Sequence, residues 1–218
     1  MRVVVTCGPS YEPVDQVRRL TNFSTGTLGI RLANALSAAG HDVLCLKGQA
    51  ATCADPLELG HLAHFGTNDE LQAQLEAIEA RESIGAFFHV AALCDFRIAS
   101  ISGDSDSADT GLPKLSSRAG GWTLRLEPAR KVISGLRALF PAARIVGWKY
   151  ELNGDRASAM AKGLCQMEDN HTDACVVNGR AYGEGFGWCT REGPAVHHAG
   201  PSELIEALIQ WLACAQAR

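Results

Sequence analysis

A chain of 218 residues, 46% hydrophobic and 20% charged, has the composition of a globular protein large enough for one sizeable core. Its net charge of −4, with Lys and Arg scattered rather than striped, argues against a nucleic-acid partner, and its longest apolar runs are far too short to cross a bilayer. The start, Met1-Arg2 followed at once by Val3-Val4-Val5, has neither the apolar core of a signal peptide nor an Arg-rich transit segment, so the expected location is the cytoplasm, without a membrane partner.

Val3 to Thr6 reads as a strand, and a polar stretch from Cys7 to Gly26 separates it from a helix expected over Thr27 to Ala39. Ile30, Leu32, Ala33 and Leu36 give that helix its apolar face, and Gly40 its C-terminal stop. A polar loop ending at a helix N-terminus is a phosphate site in waiting, because free N–H groups and the helix dipole favour an anion there. Ser24, Thr25 and Gly26 are small enough for the backbone to close around phosphate oxygens, and Asn22 offers both a donor and an acceptor.

Further strands are expected at Val43 to Leu46, Leu62 to Phe65, Ala86 to Ala91, Arg144 to Trp148 and Ala174 to Val177. Thr67 and Glu70 form a capping box ahead of Leu71, Leu75 and Ile78, and other helices are expected across Ala129 to Leu139, Arg156 to Met167 and Ser202 to Ala215. This alternation specifies an α/β chain, a Rossmann-like three-layer fold with a mostly parallel sheet and one domain over residues 1–218. Ser, Asp and Gly crowd the stretch after Ser100, so a mobile flap is expected over about 100–121, carrying a solitary cation, Lys114. Phe186 to His198 reads as a C-terminal hairpin. The eight cysteines show no paired spacing and no CxxC, and mostly lie in or beside apolar segments, so they read as reduced core thiols; His197-His198 has no partners for zinc.

The block from Gly8-Pro9-Ser10-Tyr11-Glu12-Pro13-Val14-Asp15-Gln16-Val17-Arg18 through Thr21-Asn22-Phe23-Ser24-Thr25-Gly26 to Gly29 resembles the opening of the phosphopantothenate–cysteine ligases. Ala91-Ala92-Leu93-Cys94-Asp95-Phe96-Arg97 is similar to that family's Ala-Ala-Val-Ala-Asp segment, Lys114-Leu115 falls where its flap lysines lie, and Gly147-Trp148-Lys149-Tyr150-Glu151 and Asp173 to Asn178 resemble two later segments. The resemblance implies Mg²⁺-dependent condensation of 4′-phosphopantothenate with cysteine, driven by CTP or ATP through an acyl-nucleotidyl intermediate. It casts Asn22 as an amide donor beside the reacting carbonyl and Lys114 as the cation over the triphosphate. Gly8, Ser10, Ser24, Thr25 and Gly26 would hold phosphates. Ala91 and Ala92 would face the base or ribose, Asp95 the nucleotide or its metal, and the backbone around Gly147 and Trp148 the base. Glu12, Asp15 and Arg18 would organise the loop or a contact in a homodimer.

Three departures from the pattern stand out. Thr27 replaces a lysine at the helix start, Glu127-Pro128-Ala129-Arg130 replaces Asn-Pro-Asp-Ile, and the flap's basic cluster shrinks to Lys114. A binding paralogue without ligase activity and a short-chain NAD(P)-dependent reductase are the rival readings; against the reductase, Gly8 opens no contiguous G-x-G-x-x-G. No flavin is implied, and the chain is expected to act without the decarboxylase that often accompanies such ligases.

Overall fold

The computed structural model describes residues 1–103, 107–108, 114–118 and 120–216. Six strands form a parallel sheet: β1 (Arg2–Cys7), β4 (Asp42–Gly48), β5 (His61–Phe65), β6 (Ile84–His89), β10 (Arg144–Tyr150) and β11 (Ala174–Asn178). Between the first two of these, β2 (Tyr11–Pro13) and β3 (Arg19–Thr21) make a separate antiparallel hairpin. Between β6 and β10, a second small sheet holds β7 (Phe96–Gly103), β8 (Ser107–Ala108) and β9 (Trp122–Pro128). After β11, the hairpin of β12 (Phe186–Thr190) and β13 (Val196–His198) continues the main sheet antiparallel, giving the order β13-β12-β11-β10-β6-β1-β4-β5.

Counted in chain order, the six parallel strands lie 3-2-1-4-5-6 across the sheet, so the strand order reverses between β1 and β6. Open α/β sheets of this order leave a crevice for ligands at the C-terminal ends of the strands on either side of that reversal.

The strands are apolar on both faces because both are covered. Val3, Val5, Cys7 and Phe88 pack under α1 (Thr27–Ala38) and α5 (Pro201–Gln216), through Ile30, Leu36, Leu204 and Leu208. Val4, Phe87 and Ile145 face α2 (Asn68–Glu76) and α3 (Ile133–Leu139), through Leu71, Leu75 and Leu136, with Phe140 at the end of α3. Further along the sheet, Cys175 and Val177 pack with Ala159 and Met167 of α4 (Arg156–Asp169). A fourth, satellite cluster of Val14, Ile98, Ile101 and Leu115 joins the β2–β3 turn to the small sheet.

Several helix ends follow from their sequence. The Thr67 hydroxyl accepts from the Glu70 N–H at 3.1 Å, while the Glu70 carboxylate reaches one residue further back than a capping box would, to the Gly66 N–H at 2.7 Å. Asp155 and Ser158 complete a reciprocal capping box on α4. The helix expected from Ala129 starts only at Ile133, because β9 runs on to Pro128 and the Ala129 N–H donates to the Asp95 carbonyl at 2.9 Å.

The flap expectation needs correcting at its start. Ser100 to Gly103 belong to β7 and pair with β9, since Ile98 and Ile101 bury their side chains and anchor the strand. Residues 104–106, 109–113 and 119 of that stretch lie outside the described residues.

Gly29 shows how tightly α1 sits on β1: an added Cβ would lie 2.4 Å from Cys7 Cβ, in a fully buried contact. Gly29→Ala is therefore expected to force helix and strand apart at a cost of about 1–3 kcal/mol, read as a fall of roughly 3–10 °C in the thermal midpoint. An unchanged melting curve would show that the contact is not tight in solution.

Candidate functional site

The site forms where β1 and β6 end. Their pairing continues past the strands: the Ala92 N–H donates to the Gly8 carbonyl at 3.0 Å and the Ser10 N–H to the Ala92 carbonyl at 3.3 Å. Gly8 turns the chain out of β1 with a φ of 76°, and Gly26 starts α1 with a φ of 80°, both in the left-handed region that favours glycine. The two glycines touch. A Cβ on Gly26 would lie 3.1 Å from Gly8 Cα, and one on Gly8 would lie 2.7 Å from Ala51 Cβ. With Gly29 against Cys7, three glycines do here what a contiguous dinucleotide fingerprint does: one turns, one admits a close approach and one seats the helix.

The N-terminus of α1 is open. Gly26 supplies no side-chain cap, and among the described residues the Thr27 N–H is met only by the Thr25 hydroxyl at 3.3 Å. The Leu28 and Gly29 N–H groups have no partner among the described residues. Thr25 and Thr27 share a hydroxyl–hydroxyl bond of 2.8 Å where the ligase pattern has a lysine, and Ser24 is half-buried just before them.

Asn22 meets the loop that follows β6. Its Nδ2 donates to the Leu93 carbonyl at 2.9 Å and more weakly to that of Ala92 at 3.4 Å. The amide hydrogens are thus committed to the loop, which turns Oδ1 outward as the free group. With Nδ2 so engaged, the Asn22 group left without a hydrogen bond among the described residues is an acceptor, Oδ1. Ser10 differs from expectation. It is fully buried, its hydroxyl accepts from the Cys94 N–H at 2.8 Å, and its carbonyl accepts from Thr21 Oγ1 at 2.7 Å, so it braces the loop rather than facing an anion.

Ala91 and Ala92 are half-buried at the crevice edge, and Asp95 is exposed just beyond it. Trp148 packs on the same face as Val90 and Leu28, with an indole N–H that has no partner among the described residues. Gly147 stands where β10 runs on past its last pair with β6, Val146 with Phe88. It lies mid-strand, and its missing Cβ makes room for Gln166 and Ile133. Lys149 lies 3.1 Å from Glu151, which Lys162 also meets at 2.6 Å.

Glu12 caps the small sheet by accepting from the Ile98 N–H at 3.1 Å. Asp15 and Arg18 form an ion pair in the turn between β2 and β3. A hydrogen bond from the Leu115 N–H, with the Arg18 guanidinium and two nearer backbone N–H groups, holds the Asp15 carboxyl well below the ordinary carboxylate range against the opposing effect of burial. Lys114 is exposed directly before Leu115.

A model of the C-terminal domain of the DNA/pantothenate metabolism flavoproteins matches residues 1–208. The chain belongs to that family. Among relatives, the coenzyme A biosynthesis bifunctional protein CoaBC of Thermococcus kodakarensis is 29% identical over 181 residues, covering 81% of this chain and 41% of the relative. The chain therefore spans well under half the length of that curated relative. In fold, the DNA/pantothenate metabolism flavoprotein of Streptococcus pneumoniae superposes with a TM-score of 0.84 at 19% identity, over 99% of both chains. A Cab2 variant in complex with phosphopantothenate-cysteine superposes with a TM-score of 0.69 at 17% identity, over 100% of this chain and 89% of the other.

Two further residues of this family member brace the crevice and carried no signal in the sequence. Asn68, one position past the α2 cap, donates to the Cys94 carbonyl at 2.8 Å, on the far side of the loop that Asn22 holds. His89 ends β6 with Nδ1 2.9 Å from Thr6 Oγ1, and burial pushes its imidazole down to about 4, so it is neutral at physiological pH. A groove of about 310 Å³ lies next to the loop, lined by Glu12, Asn68, Asp69, Arg97 and Arg130 among others. A smaller cavity by Arg2, Asp42 and His61 lies at the opposite, N-terminal end of the strands, away from the open helix terminus.

Proposed function

We propose that this chain ligates 4′-phosphopantothenate to L-cysteine at the expense of a nucleoside triphosphate, in the cytoplasm and as a homodimer. The observation that carries the reading is the open, glycine-lined N-terminus of α1 at the sheet's reversal point, with Asn22 bonded to the adjoining loop, in a family whose relatives are named for coenzyme A biosynthesis. In the first step a carboxylate oxygen of phosphopantothenate attacks the α-phosphorus, the bond from that phosphorus to the bridging oxygen breaks, and pyrophosphate leaves. The N–H groups at the start of α1, the Thr25 and Thr27 hydroxyls and Lys114 serve the negative charge. In the second step the cysteine nitrogen attacks the acyl carbon, the acyl C–O bond breaks, nucleoside monophosphate leaves, and the amine proton passes to solvent. Asn22 Oδ1 accepts a hydrogen from that amine and faces the positive charge growing on nitrogen.

Among the described residues no group of three His, Cys, Asp or Glu side chains could hold a metal ion. Mg²⁺ would enter as part of the nucleotide substrate, and Asp95 would add one oxygen to it. The homodimer rests on the apolar skin of the β2–β3 arm and its neighbours, where Val17 is 65% exposed, Phe96 52% and Phe23 fully.

The deciding experiment is pyrophosphate release by the purified chain with Mg²⁺, 4′-phosphopantothenate and cysteine, run with CTP and ATP in parallel. Release that depends on phosphopantothenate is expected with one of the two. Nucleotide binding without release would replace this reading with that of a binding paralogue.

A further inference from the structure

Five hydrogens converge on the Asp15 carboxylate, which is fully enclosed. Its two oxygens divide the labour. Oδ1 accepts from the Val17 N–H at 2.8 Å and the Arg18 N–H at 2.7 Å, shaping the turn between β2 and β3. Oδ2 looks outward, to Arg18 Nε at 3.0 Å, to Arg18 Nη2 at 2.5 Å and to the Leu115 N–H at 3.0 Å, 100 positions along the chain. Arg18 Nη2 completes the arrangement by donating to the Leu115 carbonyl at 2.7 Å.

One ion pair therefore satisfies both backbone polar groups of a single distant residue, as a neighbouring strand would. Enclosing a carboxylate is costly unless it is fully bonded. Oδ1 alone suffices for the turn, so local shape does not account for Oδ2 and the guanidinium. What they grip is the peptide next to Lys114, whose own side chain is exposed while Leu115 is buried with Val14, Ile98 and Ile101.

We propose that Asp15 and Arg18 are positioning residues for Lys114: by clamping the Leu115 backbone they set where the lysine's chain begins, and so where its ammonium group meets a triphosphate. The inference rests on the ligase reading and on Lys114 as its cation.

Asp15→Asn separates the two jobs. Its retained oxygen still accepts from Val17 and Arg18, but its amide hydrogens face Arg18 and the Leu115 N–H, so the link across is cut. Arg18→Lys keeps the charge and loses the fork that reaches the carbonyl. The test is single-turnover pyrophosphate release by Asp15→Asn, Arg18→Lys, Lys114→Ala and the Asp15→Asn/Lys114→Ala double variant, with hydrogen exchange at the Leu115 amide in each. We expect Lys114→Ala to slow release about a hundredfold, Asp15→Asn at least about tenfold, and the double variant no more than Lys114→Ala alone. Leu115 exchange should quicken in both clamp variants by more than the fall in the thermal midpoint accounts for.

Effects of Asp15 and Lys114 that multiply, or normal release with Leu115 unprotected, would overturn the positioning role. If Asp15→Asn fails to fold, Arg18→Lys carries the same comparison. Absence of release by the unaltered chain would instead strike the ligase reading, and the Leu115 exchange would still report whether the clamp exists.

Discussion

Replacing Asn22 by alanine is expected to leave the first burst of pyrophosphate intact and to slow complete turnover by about two to three orders of magnitude, so that acyl-nucleotidate accumulates on the protein. The expectation follows from how the side chain is held. With Nδ2 bound to the Leu93 and Ala92 carbonyls, Oδ1 is fixed in direction before any substrate arrives, and such preorganisation makes a single dipole count. Alanine removes the acceptor that orients the amine while leaving the α1 terminus and its anion site untouched. Asn22→Asp should behave differently: it keeps an acceptor but sets a carboxylate against two carbonyl oxygens, so the loop itself is pushed away and the first step suffers too. Rapid-quench analysis with labelled nucleotide distinguishes the cases. Unchanged steady-state turnover in Asn22→Ala would remove Asn22 from the chemistry.

Gly26→Ala should weaken nucleotide binding by about 10- to 100-fold. At a φ of 80° an alanine carries a strain of about 1 kcal/mol or more, and its Cβ would stand 3.1–3.2 Å from Gly8 Cα, Gly8 N and Ala51 Cβ. None of these neighbours is the end of a flexible side chain. The strain is relieved by rotating the peptides that begin α1, and this turns away the N–H groups that would meet a phosphate. Titration calorimetry with CTP and ATP reads the loss directly. Wild-type affinity would mean that the phosphates bind elsewhere, and the 310 Å³ groove by Arg97 and Arg130 would be the next place to look.

The parallel sheet was legible because its strands are continuous apolar runs, which only a sheet covered on both faces requires. Val3 to Thr6 and Ala174 to Val177 were placed within a residue or two for that reason. The small strands were not. β2 and β3 have three residues each, too few for a period to show, and their pairing depends on the turn that Asp15 builds. β7 does not alternate: its buried Ile98 and Ile101 stand three apart, across a bulge between Ile98 and Ser100, and the Ser- and Asp-rich stretch that follows hid its end.

At the site, composition pointed correctly to an open helix end but could not show which polar groups were already spent. Ser10 and Asn22 are both small, polar and near Gly8 in sequence, and only the fold shows that the serine is consumed inside the loop while the asparagine keeps one end free. Gly147 lacks a side chain where Gln166 and Ile133 fill the space, a packing reason that no period in the sequence displays.

The contact between Gly8 and Gly26 has a consequence for how such a site can diversify. Because the two ends of the intervening segment meet, residues 9–25 are an excursion that leaves the sheet and returns to the same point. Lengthening such an excursion costs little, about 0.6 kcal/mol for each doubling. The tip of the arm, which meets Leu115, can thus change in length without shifting the two glycines at its base.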